Sequence, residues 1–347
     1  MIISRTFRCS LLAVFVGAMV LWCGLWMIAA AHFRALIDSD IATAATRGQE
    51  IVYETRSEGG FPFAITSHFS NLRWQDKAGA KAQADDLTLT AYLWAWNAFD
   101  VEFRQRAKAT MPLLPLNDIL TVQSDAGGAH IELSDAGWRF VGLRLKDARV
   151  RRPDQDLFTA DKMALTIQRP DHAPKDNAEV GLSLSGKAQG VTLKMKTEKP
   201  LPFGARIEGF HIALRVMGAP PDPENKDSVE KWNTDSGVVE CDALDLTWGP
   251  LTLALTGTLG LDDQLQPEAA FSGPLGNHTA VITSLLDGGW IKKRQAVILS
   301  SAFDLFAKPS ILTLNPSVIA PIIVQLGGIY LGPVLIFSLP SLEWGRM

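Results

Sequence analysis

The chain has 347 residues, 33 Lys+Arg against 37 Asp+Glu for a formal net charge of −4, and 47% hydrophobic residues. Such a length can bury a substantial core, and so even a charge balance builds no dense basic field for nucleic acid. Of three cysteines, Cys9, Cys23 and Cys241, only the last lies beyond the apolar N-terminal region; this excludes an intrachain disulfide or a thiolate metal cluster in the folded part.

The first predicted element is the uncharged run Leu11 to Ala31, LLAVFVGAMVLWCGLWMIAAA. At about 1.5 Å of helix rise per residue it can cross a hydrocarbon core of roughly 30 Å. Arg5 and Arg8 precede it and Asp38 and Asp40 follow, so the positive-inside tendency puts the N-terminus in the cytoplasm and everything from His32 onward across the membrane. Residues 1–31 are read as an uncleaved anchor with Trp22 and Trp26 near its outer interface. A secretory signal peptide ending at Ala29-Ala30-Ala31 is the alternative and has the same topology. Residues 33–47 predict a short helix, continuous with the span or following it, that Gly48 ends.

From Gln49 the hydrophobic period changes from near 3.6 to 2. In SEGGFPFAITSHF the apolar residues Phe61, Phe63, Ile65 and Phe69 share one parity, which predicts one strand with one apolar face. Similar sets follow at Leu87, Leu89, Ala91 and Leu93; at Phe99, Val101 and Phe103; and at Val141, Leu143 and Leu145. The alternation persists through Met163, Leu165 and Ile167; Val180, Leu182 and Leu184; Val191, Leu193 and Met195; and Ile212, Leu214 and Val216. A long antiparallel meander is expected, with turns at Asp125-Ala126-Gly127-Gly128, Arg169-Pro170-Asp171 and Ser185-Gly186.

Residues 32–217 thus form an N-terminal strand-rich part, and the Pro- and charge-rich residues 218–237 an exposed connector in which Ser228 to Trp232 can make about one helical turn. Residues 238–347 open with a hairpin, Leu244, Leu246 and Trp248 returning through Leu251, Leu253 and Leu255. Two helices joined near Gly288-Gly289 follow, with Val281, Leu285 and Leu286 on one face and Ile298, Ala302 and Phe306 on the other helix's face. From Pro309 to Leu342 there is no charged residue; Pro321, Pro333 and three glycines favour a buried terminal hairpin turning at Gly327-Gly328 over a second membrane segment. The fold class is therefore mainly β with minor α: a transmembrane helix, a large curved antiparallel sheet, and a C-terminal pair of helices plus terminal hairpin.

Motifs for catalysis are absent from the sequence. The six histidines have no HExxH spacing, and His68, His130 and His211 fall at polar strand positions, where a solvated side chain is expected. GLSLSG at 181–186 has Ser185 where a nucleophile elbow needs Gly, and no dinucleotide or P-loop glycine pattern occurs. Cys241 reads as a small buried side chain. No catalytic, cofactor or metal residue is assigned.

So many one-sided strands need something against their apolar faces. Either the sheet fills its own core, or a curved sheet leaves an apolar groove open for acyl chains. For such a groove the candidate lining is Phe61, Phe63, Ile65, Phe99, Val101, Phe103, Leu244, Leu246, Leu253 and Leu255.

The anchor and Ala-rich helix, GGFPF at 59–63, TGTLGLDDQLQPEAAF at 256–271 and QLGGIYLGPV at 325–334, in that order, resemble the bacterial membrane-anchored domain-of-unknown-function family 2125. The GxLxLD hairpins carry a weaker similarity to AsmA-like envelope proteins, which are bridge-like or groove-like and associated with lipid transport. These resemblances imply a single-pass inner-membrane protein with its bulk in the periplasm, and they favour the open groove. The expected function is non-enzymatic lipid binding or transfer in the envelope; the alternative is a structural or scaffolding module that binds envelope proteins.

Overall fold

A computed structural model describes residues 5–113, 118–194, 199–306 and 318–344. The chain opens with one continuous 42-residue helix, α1 (Arg5–Thr46), so the anchor and the Ala-rich stretch are a single rod of about 63 Å. Among the described residues it is the one helix long and apolar enough to cross a membrane. Phe15, Val20, Leu21, Met27 and Ile28 are exposed along it.

Strands β1 (Glu50–Val52), β2 (Thr55–Gly59), β3 (Ala64–Gln75), β4 (Lys81–Tyr92), β5 (Ala95–Phe103) and β6 (Ala107–Leu113) begin the sheet. β7 (Asp118–Ser124), β8 (Ala126–Ser134), β9 (Gly137–Arg151), β10 (Asp156–Gln168), β11 (Val180–Leu193) and β12 (Arg206–Met217) extend it. After helix α2 (Lys226–Thr234) come β13 (Val239–Trp248), β14 (Leu251–Leu261) and β15 (Pro267–Gly276). Helices α3 (His278–Asp287) and α4 (Lys293–Phe306) precede β16 (Val318–Gln325), β17 (Gly328–Leu331) and β18 (Val334–Ser338).

Among the described residues all 18 strands join one antiparallel sheet. β1 and β2 lie end to end beside β3, and from β9 to β18 each strand pairs with the next in sequence. β5 and β6 together oppose β4, while β7 and β8 together oppose β9, so each of these pairs acts as one long interrupted strand. The connector 218–237 does not divide the sheet, because β12 and β13 on either side of it are directly paired from Gly209↔Thr247 to Val216↔Val239. Within it α2 is nine residues long, capped by the Asn225 side chain and pinned by Trp232, whose Nε1 donates to the Met217 carbonyl at 3.0 Å.

Local readings differ from the sequence at four places. Phe61 and Phe63 are not in a strand: Gly60–Phe63 form the β2–β3 turn, and β3 begins at Ala64. Gly60 has φ +97, and a Cβ there would lie 2.6 Å from the Ala64 carbonyl oxygen, so the turn requires glycine. Ser185-Gly186 lies within β11, paired with Ala213 and Ile212, rather than in a turn. Asp125 interrupts a strand and does not reverse it, with Gly127 and Gly128 inside β8. The uncharged C-terminal stretch is three short strands, β16 to β18, turning at Leu326-Gly327 and Gly332-Pro333, where a single hairpin was expected. Met195 lies outside the described residues.

A seam crosses the sheet and reverses the alternation. In β3 the buried residues are Ile65, Ser67 and Phe69 before Asn71, whereas Leu72 and Trp74 are the less exposed residues after it. β9 changes phase at Asp147, β10 at Asp161-Lys162 and β11 at Gln189-Gly190. Asn71, Asp147 and Gly190 have φ of 50°, 51° and 61°, a conformation that Asn, Asp and Gly accept most readily. The Asp161 carboxylate lies over Gly190, where an added Cβ would meet it at 1.9 Å. Ala148, Leu145, Met163 and Phe103 pack together across this line, so both halves of each strand turn their apolar residues to the same face.

Candidate functional site: an apolar trough

The apolar face is covered at its two ends and open between them. At the N-terminal end α1 lies on β3 to β5: Phe33 is 6% exposed, stacks on Phe99 at 6.2 Å and packs with Ile65 and Ala91. At the C-terminal end α3 and α4 seal the face of β14 to β18 through Val281, Ile282, Leu285, Leu299 and Phe303 against Leu275, Val318 and Val334.

Between these lids runs a cavity of about 440 Å³ lined by β3 to β10, within the roughly 300–1,000 Å³ range of ligand clefts. Its lining is almost wholly apolar. Alanines at 82, 84, 107 and 109 keep the floor low, while Trp74, Phe103, Met111 and Met163 stand as larger walls. The seam passes beneath it, since Leu87 and Ala84, Phe103 and Ala107, and Ala129 and Ser124 line it from opposite sides of the phase change. Buried Ser124 places its hydroxyl 2.8 Å from the Ala126 carbonyl and 2.7 Å from that of Lys146, which satisfies the one polar side chain held beneath the bend.

The ten candidate lining residues fall into separate places. Val101 and Phe103 line the trough. Ile65 and Phe99 are under α1, and Leu246 and Leu253 pack against the C-terminal core. Leu244 and Leu255 are cross-strand partners, Leu255 being buried. Phe61 and Phe63 are 48% and 62% exposed beside α1. Most of the trough therefore comes from residues that the sequence reading did not select. The alanines of β4 and β6 were the available signal: small side chains repeat at inward positions of neighbouring strands.

The opposite face is polar and laced with cross-strand pairs. His130 Nδ1 lies 2.6 Å from Asp100 Oδ1, His211 Nδ1 2.9 Å from Asp245 Oδ2, and His68 Nδ1 3.2 Å from Thr88 Oγ1. These histidines are half-buried and paired, not simply solvated; their partners lie 20 to 34 residues away in sequence, out of reach of local reading. The Asp100 hydrogen bond holds the His130 imidazole above its ordinary pKa of 6.5 despite partial burial. Arg215 holds the Asp242 carboxyl below its usual range through a bidentate contact at 2.6 and 2.7 Å. Cys241 is buried, and desolvation pushes its thiol up. Among the described residues no group of three or more His, Cys, Asp or Glu side chains is arranged to hold a metal ion.

Fold and trough together define a class: a membrane-length helix continuous with a large one-sided antiparallel sheet whose apolar face is open along its middle. A family model described as "Uncharacterized protein conserved in bacteria (DUF2125)" matches residues 26–340, and the chain belongs to that family. No curated protein and no solved structure matches the chain, and the weaker resemblance to AsmA-like envelope proteins finds no support there.

Proposed function

We propose that this protein is a non-catalytic component of the bacterial envelope, held in the inner membrane by α1 with its sheet in the periplasm, and that it binds lipid acyl chains in the trough. The observation that carries this reading is the uncovered apolar cavity over β3 to β10, on a sheet face that helices cover at both ends. Burying a methylene contributes about 0.8 kcal/mol, so a dozen would offer roughly 10 kcal/mol before the costs of association. A water-filled trough with this lining would leave that surface wet.

The test is photocrosslinking in cells that express the full chain with benzoylphenylalanine at Met111 or Val122, or at Thr166 on the polar face. Lipid adducts are expected at Met111 and Val122 and not at Thr166. Equal or absent lipid labelling at all three sites overturns the reading, and reproducible capture of one protein instead favours a scaffold.

A further inference from the structure

We propose that the tip of the β2–β3 hairpin and the neighbouring β4–β5 turn are buried in the outer leaflet of the membrane that α1 crosses; this rests on the anchored reading of α1 given above. Two hydrogen bonds fix the depth of the tip relative to the helix. Trp22 Nε1 donates to the Pro62 carbonyl at 3.0 Å and Trp26 Nε1 to the Ala64 carbonyl at 2.8 Å, while the Trp26 and Phe61 rings meet edge to face at 5.6 Å.

Arg8 is the last charge before the apolar run. About 20 residues of helix counted from it fill a core of roughly 30 Å and end near Ile28. Trp22 then lies about 9 Å inside that boundary and Trp26 about 3 Å inside, and the backbone atoms bonded to them share those depths.

The side chains at this corner suit the location. Phe63, Trp94 and Trp96 are 62%, 67% and 63% exposed, a poor arrangement for water and a good one for the membrane interface, where indole rings concentrate. No charge occurs from Gly59 to Ser70 or from Leu87 to Ala98.

Charges resume on both elements at one height: Arg56 bridges Asp38 at 2.6 Å and Glu58 at 2.7 Å, with Arg34 3.7 Å from Glu58. The next connections at the same end of the sheet, Ser134–Gly137 and residues 169–179, carry Asp135, Arg169, Asp171, Lys175, Asp176 and Glu179. They belong in water, so the sheet enters the leaflet only at its first corner. There a gap of about 410 Å³ opens between α1 and the β4–β5 turn, with Leu25, Ile28, Leu93 and Trp96 on its walls. Leu93 follows β4 directly and Trp96 lies in β5, the strands that supply Leu87 and Val101 to the trough.

The test uses the full chain, with its three cysteines replaced by serine, in vesicles of phosphatidylethanolamine and phosphatidylglycerol. Nitroxide labels are placed singly through Phe63→Cys, Trp96→Cys, Ala136→Cys and Ala18→Cys. Labels at 63, 96 and 18 are expected to collide with oxygen and lose collisions with a water-soluble nickel chelate, and the label at 136 to do the reverse. Water exposure at 63 and 96 with position 18 in lipid overturns the insertion and leaves the anchor intact. Water exposure at position 18 overturns the anchored reading, and the insertion with it. Circular dichroism matching that of the cysteine-free parent identifies the variants whose labels report on the native fold.

Discussion

His130 is the most closely held of the three polar-face histidines, with Asp100 on one side and Glu132 3.4 Å from its other nitrogen. Because its folded pKa is raised, the pair's contribution to stability is fully present below the unfolded value of about 6.5 and is lost as pH rises through the folded value. The thermal midpoint of the wild type is therefore expected to exceed that of Asp100→Asn at about pH 5.5 and to converge toward it by about pH 8. A difference that does not change with pH would show that the pair is held by packing alone. The residue scale also explains a blind spot in the sequence. Phe61, Phe63, Ile65 and Phe69 share a parity, yet only the last two are in a strand, because Gly60 and Pro62 make a turn whose aromatic residues fall in phase by coincidence.

Among elements, α4 separates what was legible from what was not. Its existence and its partner α3 followed from helical spacing, but its buried face is Ala296, Leu299 and Phe303, whereas Ile298 is 42% exposed. Residues 296 to 299 are all apolar, so two stripes compete and docking on the sheet selects one. Leu299→Ala is expected to cost about 2–5 kcal/mol and Ile298→Ser to stay within about 0.5 kcal/mol, as measured by denaturant unfolding. Strands show the same limit: alternation revealed β9 to β12, but the patterns of β9, β10 and β11 each read as two fragments because the seam reverses their phase. Ser185-Gly186 reads as a turn because glycine suits tight bends, yet the pair lies inside β11 opposite Ala213 and Ile212. Phase reversal is paired across strands, and a single sequence does not display that pairing.

For the whole molecule, the class of fold and the membrane-length helix were readable, while the location of the uncovered face was not. That location depends on how far α1 reaches over β3 to β5 and how far α3 and α4 reach over β14 to β18, which are tertiary facts. Filling the trough tests its role directly. Ala109→Trp, at a partly exposed position of the lining, projects its ring into the trough, so the melting temperature should hold while lipid crosslinking at Met111 falls to background. In a closed core the same change would cost about 1–3 kcal/mol or more through overpacking.

The order of the strands carries one more consequence, for how the chain folds. From β9 onward every strand pairs with its predecessor, and the β5 to β8 excursion closes within some forty residues. Such contacts close short loops, which favours rapid propagation over a late global search. On the proposed topology the N-terminus stays in the cytoplasm, and α1 is in place in the membrane before β3 emerges on the far side. Each later hairpin then finds a finished edge waiting, so assembly can proceed outward from the bilayer while translocation is still under way, and α3 and α4 close the far end only when β16 to β18 arrive.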